Sequence, residues 1–139
     1  MMSTKPYETY RLRQNCYGVM RMLRDFWVGA LGYPLLELLW RGRTHPAMGL
    51  CGGVCLCGLR QIHRKCKNRP LWLASLLGGC MVTGVEYLTG RVVNRRYRIW
   101  DYRRQPLQFR GQICLGYSLA WCALSMLVLG AMRSMDKRA

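Results

Sequence analysis

Four apolar runs, each ended by basic residues, constrain this chain more than any other feature. They lie at about 26–40, 47–62, 71–93 and 112–132, and almost none of the 22 Lys and Arg falls inside them. A backbone entering hydrocarbon must satisfy its polar groups internally, so runs of this kind have to be helices. The expected fold is all-α, an integral membrane bundle of four short transmembrane helices. Residues 1–25 would form a basic N-terminal segment, 26–132 the transmembrane domain and 133–139 a polar tail.

Composition read as an average conceals this segregation. The 139 residues carry a formal net charge of +16, with a mean hydropathy of only -0.04. Such a charge raises nucleic acid as a partner. Lys and Arg gathered at the ends of apolar runs instead fit the flanks of membrane spans, where anionic lipid attracts them. The expected partner is therefore the lipid bilayer, with no nucleic acid. The N-terminus is polar through Asn15 and lacks the pattern of a cleavable leader.

The runs differ in quality. Residues 26–40 make only about 22 Å of helix against a hydrocarbon core of about 30 Å. Arg24 and Arg41 can snorkel from its ends, or the helix begins earlier, near Cys16. The second run opens at Pro46, a residue suited to a first helical turn. It holds Gly49 and Gly53 in a G-x-x-x-G, a spacing that lets helices approach closely in lipid. It is short and only moderately apolar, so a re-entrant segment is its alternative. The third run follows Pro70. Its small and polar residues Gly79, Thr83, Glu86, Gly90 and Asn94 fall on one helical stripe, which should face partner helices. Gly111, Ser118, Cys122 and Ser125 form the small face of the fourth. Gly49, Gly53, Gly79 and Gly90 are the expected helix-packing positions.

Four spans place both termini on one side. Thirteen basic residues lie there or in the 60–70 turn, against nine in the other two loops. The positive-inside rule then favours both termini inside. The eight Cys sit mostly in apolar runs beside Gly, Leu and Val, where Cys behaves as a small hydrophobe. There is no C-x-x-C pair, so neither a metal site nor a cofactor is expected.

Two carboxylates, Glu37 and Glu86, lie within apolar runs. Ionisable groups in a membrane usually face a protein interior or a watery cavity. In an up-down bundle, the ends of spans one and three share a side with the starts of spans two and four. Those places hold Glu37, Arg43, Thr44, His45, Glu86, Asn94 and Gln112, and the loop carrying Trp100, Asp101 and Tyr102 caps the same side. These ten residues form the candidate polar or ligand site. The opposite side is expected to carry mainly Lys and Arg. Each residue also has a plainer reading. Glu37 can pair with Arg41 one turn later. Glu86 has no basic residue at i±3 or i±4, so its partner must come from elsewhere, with Arg43 or His45 available. His45 can decorate a helix start, Trp100 and Tyr102 can belong to an aromatic belt, and Asp101 can pair with a neighbouring Arg.

The run Gly32-Tyr33-Pro34-Leu35-Leu36-Glu37-Leu38-Leu39-Trp40-Arg41-Gly42-Arg43-Thr44-His45 resembles the first-span motif of a family of small bacterial membrane proteins. That family is labelled putative ABC-transporter permeases (type IV). Val85-Glu86 through Gly90 and Asn94, and Trp100-Asp101-Tyr102 with Pro106 and Gly111-Gln112-Ile113-Cys114-Leu115, are similar to it as well. The resemblance covers about residues 26–130. The chain departs from the family pattern at Arg103, Arg104, Gln108 and Arg110, which makes this loop more basic. The resemblance implies a multi-pass protein of the bacterial plasma membrane and a permease-type transporter component. It carries over no substrate and no catalytic residue. There is no G-x-x-x-x-G-K-[ST], so this chain is not itself the ATPase, and no enzyme activity is expected. Four short spans are few for a complete permease, so a homo-oligomer or separate transporter subunits are expected. The alternative is a non-transport membrane protein that binds lipid headgroups or a partner protein through the same face.

Overall fold

The computed structural model describes residues 6–139, with side chains from residue 8, so Lys5 of the basic N-terminal segment lies outside the described residues. Four helices account for most of the chain: α1 (Pro6–Arg41), α2 (Pro46–Lys65), α3 (Leu71–Val93) and α4 (Leu115–Arg138). The fold class is all-α.

α1 is 36 residues long, about 54 Å at 1.5 Å per residue. The basic N-terminal segment and the first apolar run are thus one continuous helix. Pro34 lies inside it and cannot donate to the Ala30 carbonyl. Gly49 of α2 packs over that carbonyl, where a larger residue would press on it. α1 ends at Gly42, which adopts φ 70° and donates its N–H to the Leu38 carbonyl. Glycine enters this left-handed region without a Cβ penalty. His45 then caps α2, its Nδ1 accepting from Ala47 N at 3.1 Å, and Pro46 opens the helix.

Two helical hairpins result. α1 packs along α2, α3 packs along α4, and α2 joins the pairs. Small residues set the close approaches. A Cβ on Gly29 would strike the Gly52 backbone, and one on Gly53 would strike Phe26. In the other hairpin, Gly79 lies against Cys122, while Gly78 lies against Ser125 and Leu59. The stripe containing Gly79, Glu86 and Gly90 therefore faces α4 and the loop before it.

That loop, residues 94–114, is folded rather than slack. It holds a short antiparallel pair, β1 (Gln108–Phe109) with β2 (Ile113–Cys114), which the sequence pattern did not announce. Gln112 consequently sits in the turn ahead of α4 and not in its first turn. Trp100, Tyr102 and Cys114 descend from this loop into a cluster with Met48. A second cluster, Leu59, Ala74, Leu129 and Met132, fills the other end of the bundle.

α3 and α4 are long and apolar enough to cross a bilayer, with mean hydropathies of 1.4 and 1.7 over their best windows. Only 22% and 17% of those windows is buried within the protein. Leu76, Leu77, Leu88, Leu119 and Leu127 stay exposed. Apolar helices with so little internal burial need an apolar medium outside. α1 and α2 do not reach the same measure, so the expected four spans narrow to two that length and hydropathy support by themselves.

Candidate functional site

A cleft of about 660 Å³ runs along the bundle between the hairpins. Its walls come from all four helices, and its middle is apolar, with Val28, Leu56, Val82, Val85, Leu124 and Val128. Val28, Leu36 and Met135 line it and remain exposed, so it opens on the surface along its length. Polar groups gather at its two ends.

At one end stand Glu37, Arg41 and Glu86 with the rings of Tyr33, Trp100, Tyr102 and Trp121. Glu37 is buried and forms an ion pair with Arg41 one turn later. Thr44 donates its hydroxyl to the other Glu37 oxygen at 2.6 Å. Arg41 also reaches the Ile99 carbonyl at 3.3 Å, tying α1 to the loop. Each Glu37 oxygen thus has one partner, Arg41 through an ion pair on Oε1 and Thr44 on Oε2.

Glu86 is held differently. Tyr102 donates its hydroxyl to Oε1 at 2.8 Å, and Trp121 donates its indole N–H to Oε2 at 2.9 Å. Among the described residues no basic side chain lies within ion-pair distance of it. Arg43 and His45, its expected partners, are exposed and line a separate cavity of about 290 Å³ with Arg41, Thr44 and Arg98. Burial and the neighbouring Glu86 push the Tyr102 hydroxyl far above its usual range. It therefore stays a donor across ordinary pH. Its ring stacks on Tyr117 with centroids 4.8 Å apart.

Asn94 and Gln112 are nearly inaccessible and serve the loop rather than the cleft. Asn94 donates Nδ2 to the Trp100 carbonyl at 2.6 Å and accepts from Ile99 N at 2.8 Å. Gln112 donates Nε2 to the Asn94 carbonyl at 3.1 Å, and its own carbonyl accepts from the Trp100 indole at 2.9 Å. Gly90 gives room for this pair, because a Cβ there would strike the Gln112 amide. Together they fix Trp100 and Tyr102 over the end of the cleft. Asp101 points outward and binds Arg103 through both oxygens. That guanidinium holds its carboxyl down to about 2.

Of the ten expected site residues, Glu37, Glu86, Trp100 and Tyr102 meet at the cleft. Thr44 reaches it through Glu37, Asn94 and Gln112 support it from behind, and Arg43, His45 and Asp101 stand away from it.

The opposite end adds two buried polar groups to a side expected to carry mainly Lys and Arg. Asp25 is buried there, bound by Arg60 at 2.8 and 3.3 Å and by Arg24 at 3.3 Å. His63 is also buried, its Nε2 2.9 Å from Asp136. The sequence reading missed Asp25, which stood just ahead of an apolar run, and Tyr33 and Trp121, which look like ordinary aromatics within one. Among the described residues no group of three His, Cys, Asp or Glu side chains is placed to hold a metal ion.

A family model described as putative ABC-transporter type IV matches residues 37–138. No curated protein and no solved structure matches the chain.

Proposed function

From the premise that this chain belongs to the putative ABC-transporter type IV family, we propose that it is an integral membrane component of a transporter, with a polar site near one membrane face. In this reading all four helices cross. α3 and α4 do so by their own hydropathy. α1 and α2 cross as a pair, their backbones brought together at Gly29 and Gly52, as small residues allow in lipid. The Glu86 end of the cleft then lies beneath the 94–114 loop, and the Asp25 end lies near the opposite face.

The observation that carries the proposal is Glu86. A carboxylate at membrane depth, bordering an open cleft and bound only by neutral donors, is the kind of group that lines a solute path. The chain has no phosphate-binding loop, so energy would have to come from another subunit.

The test is permeation in proteoliposomes. A panel of small cations, neutral solutes and anions is followed by light scattering as the vesicles swell. The proposal expects permeation of at least one class, lost in Glu86→Gln. Permeation equal in Glu86→Gln would remove this carboxylate from the path, and no permeation in any arm would remove transport by this chain alone.

One observation favours a second reading. Arg95, Arg96, Arg98, Arg104 and Arg110 are exposed on one loop, and among the described residues none forms an ion pair. Such a surface suits anionic lipid headgroups or an acidic partner. Co-purification of acidic lipid that falls when these arginines are replaced by Gln, with no permeation, would favour it.

A further inference from the structure

The chain holds 22 basic residues and six acidic ones. With cations in such excess, every acid could be paired. Glu8 is exposed near the start of α1, and Asp25, Glu37, Asp101 and Asp136 each have a basic partner. Glu86 has Tyr102 and Trp121 instead. The nearest cleft cation, Arg41, is committed to Glu37 and the Ile99 carbonyl. Counted over the groups lining this end, Glu37 and Arg41 cancel and an ionised Glu86 leaves a net negative charge. At the far end Arg24 and Arg60 exceed Asp25 by one positive charge.

The rings around Glu86 add a second, independent feature. Tyr33, Trp100, Tyr102 and Trp121 all line the same end. Tyr33 and Trp121 approach across the cleft with centroids 5.8 Å apart at 54°. Aromatic faces attract ammonium groups, most strongly where water is excluded. Beyond the rings the walls turn aliphatic, with Val85, Leu124, Val128 and Leu56. A volume of about 660 Å³ is within the range of small-molecule sites.

We infer that the cleft binds an organic ammonium ion with an apolar body. The cationic head sits against Glu86 among Tyr33, Tyr102 and Trp121, and the body lies along the aliphatic walls. An anionic head is disfavoured at Glu86, and an inorganic cation would leave the aliphatic walls unused. The inference deepens the transporter reading by naming its substrate class, and it rests on that reading for the route into the cleft.

The experiment is equilibrium dialysis of the full chain in nanodiscs of zwitterionic lipid, with labelled hexyltrimethylammonium as probe. Hexanol and hexyl sulfate serve as neutral and anionic controls, and empty nanodiscs are subtracted. Saturable binding of the ammonium probe is expected. It should weaken about tenfold in Glu86→Gln, equivalent to loss of about 1.4 kcal/mol of charge attraction. Hexanol retention should not change in that variant. Tyr33→Leu removes a ring face without touching either hydrogen bond of Glu86, and should weaken the probe by about threefold. It carries the test if Glu86→Gln does not fold. Absence of saturable ammonium binding, equal binding in both variants, or preference for hexyl sulfate overturns the inference. Ammonium binding without permeation leaves this site standing and removes transport. Permeation of neutral or anionic solutes that depends on Glu86, without ammonium binding, does the reverse.

Discussion

The two ends of the cleft hold Asp25 and Glu86 in contrasting ways. Asp25 is bound by Arg60 through both oxygens and is approached by Arg24. Glu86 receives a phenol and an indole. At the first end the charge is closed within the protein, so its removal strands a partner. At the second the protein supplies two neutral donors and no compensating cation within ion-pair distance among the described residues. The first arrangement locks α1 to α2, because Asp25 and Arg60 come from those helices. The second positions a group that the fold itself does not need in charged form.

Substitutions that separate the two ends test this contrast. The largest effect is expected from Asp25→Ala. It leaves Arg60, with its side chain 19% exposed, without its carboxylate, and should cost about 3 kcal/mol of stability, because a partly buried charge is stranded. Denaturant titration of the detergent-solubilised protein reads this loss. A cost below 1 kcal/mol would mean that the Asp25 pair is solvated and the contrast is false.

Asn94→Ala comes next. It removes the side-chain bonds to Trp100 O, Ile99 N and Gln112 Oε1. About 2 kcal/mol should be lost, because buried partners are left unsatisfied. Proteolysis within residues 95–110 should accelerate at the same time. Unchanged proteolysis would separate Asn94 from control of the loop.

Glu86→Gln should change stability by less than about 1 kcal/mol, because losing one neutral-donor bond is offset by no longer burying a charge. The smallest effect concerns Asp101, outside the cleft. The folded pair with Arg103 lowers its carboxyl below the unfolded range, so the stability it contributes is present above about pH 4. That contribution is lost as pH falls through about 2. A carboxyl NMR titration should show a midpoint near 2, returning toward about 3.9 in Arg103→Ala. A midpoint that does not move in that variant would show that Arg103 does not hold the charge.

The sequence made some of this legible and hid the rest for physical reasons. The stripe through Gly79, Glu86 and Gly90 follows from helical periodicity, and it faces α4 and the loop as the spacing indicates. The pair Glu37–Arg41 is one turn long and equally readable. The partners of Glu86 were not readable. Tyr102 returns 16 residues later through an irregular loop, and Trp121 lies 35 residues away on another helix. No local pattern encodes either contact. Pro106 and Gly111 mark turns in the loop, but its fold was hidden because Tyr97, Leu107 and Arg110 also take positive φ without being glycine. The length of α1 was hidden because Arg21, Arg24 and Asp25 interrupt its apolar pattern, although Asp25 faces α2 and is neutralised there.

The central claim is that Glu86 is held ready for an outside partner rather than used to clamp the helices. Its most direct test is a side-by-side melting measurement of Asp25→Asn and Glu86→Gln in the same detergent, with no ligand added. The account predicts a clear fall in Tm for Asp25→Asn and a small change for Glu86→Gln. A fall in Glu86→Gln as large as in Asp25→Asn would contradict it, because Glu86 would then be a structural clamp like its counterpart.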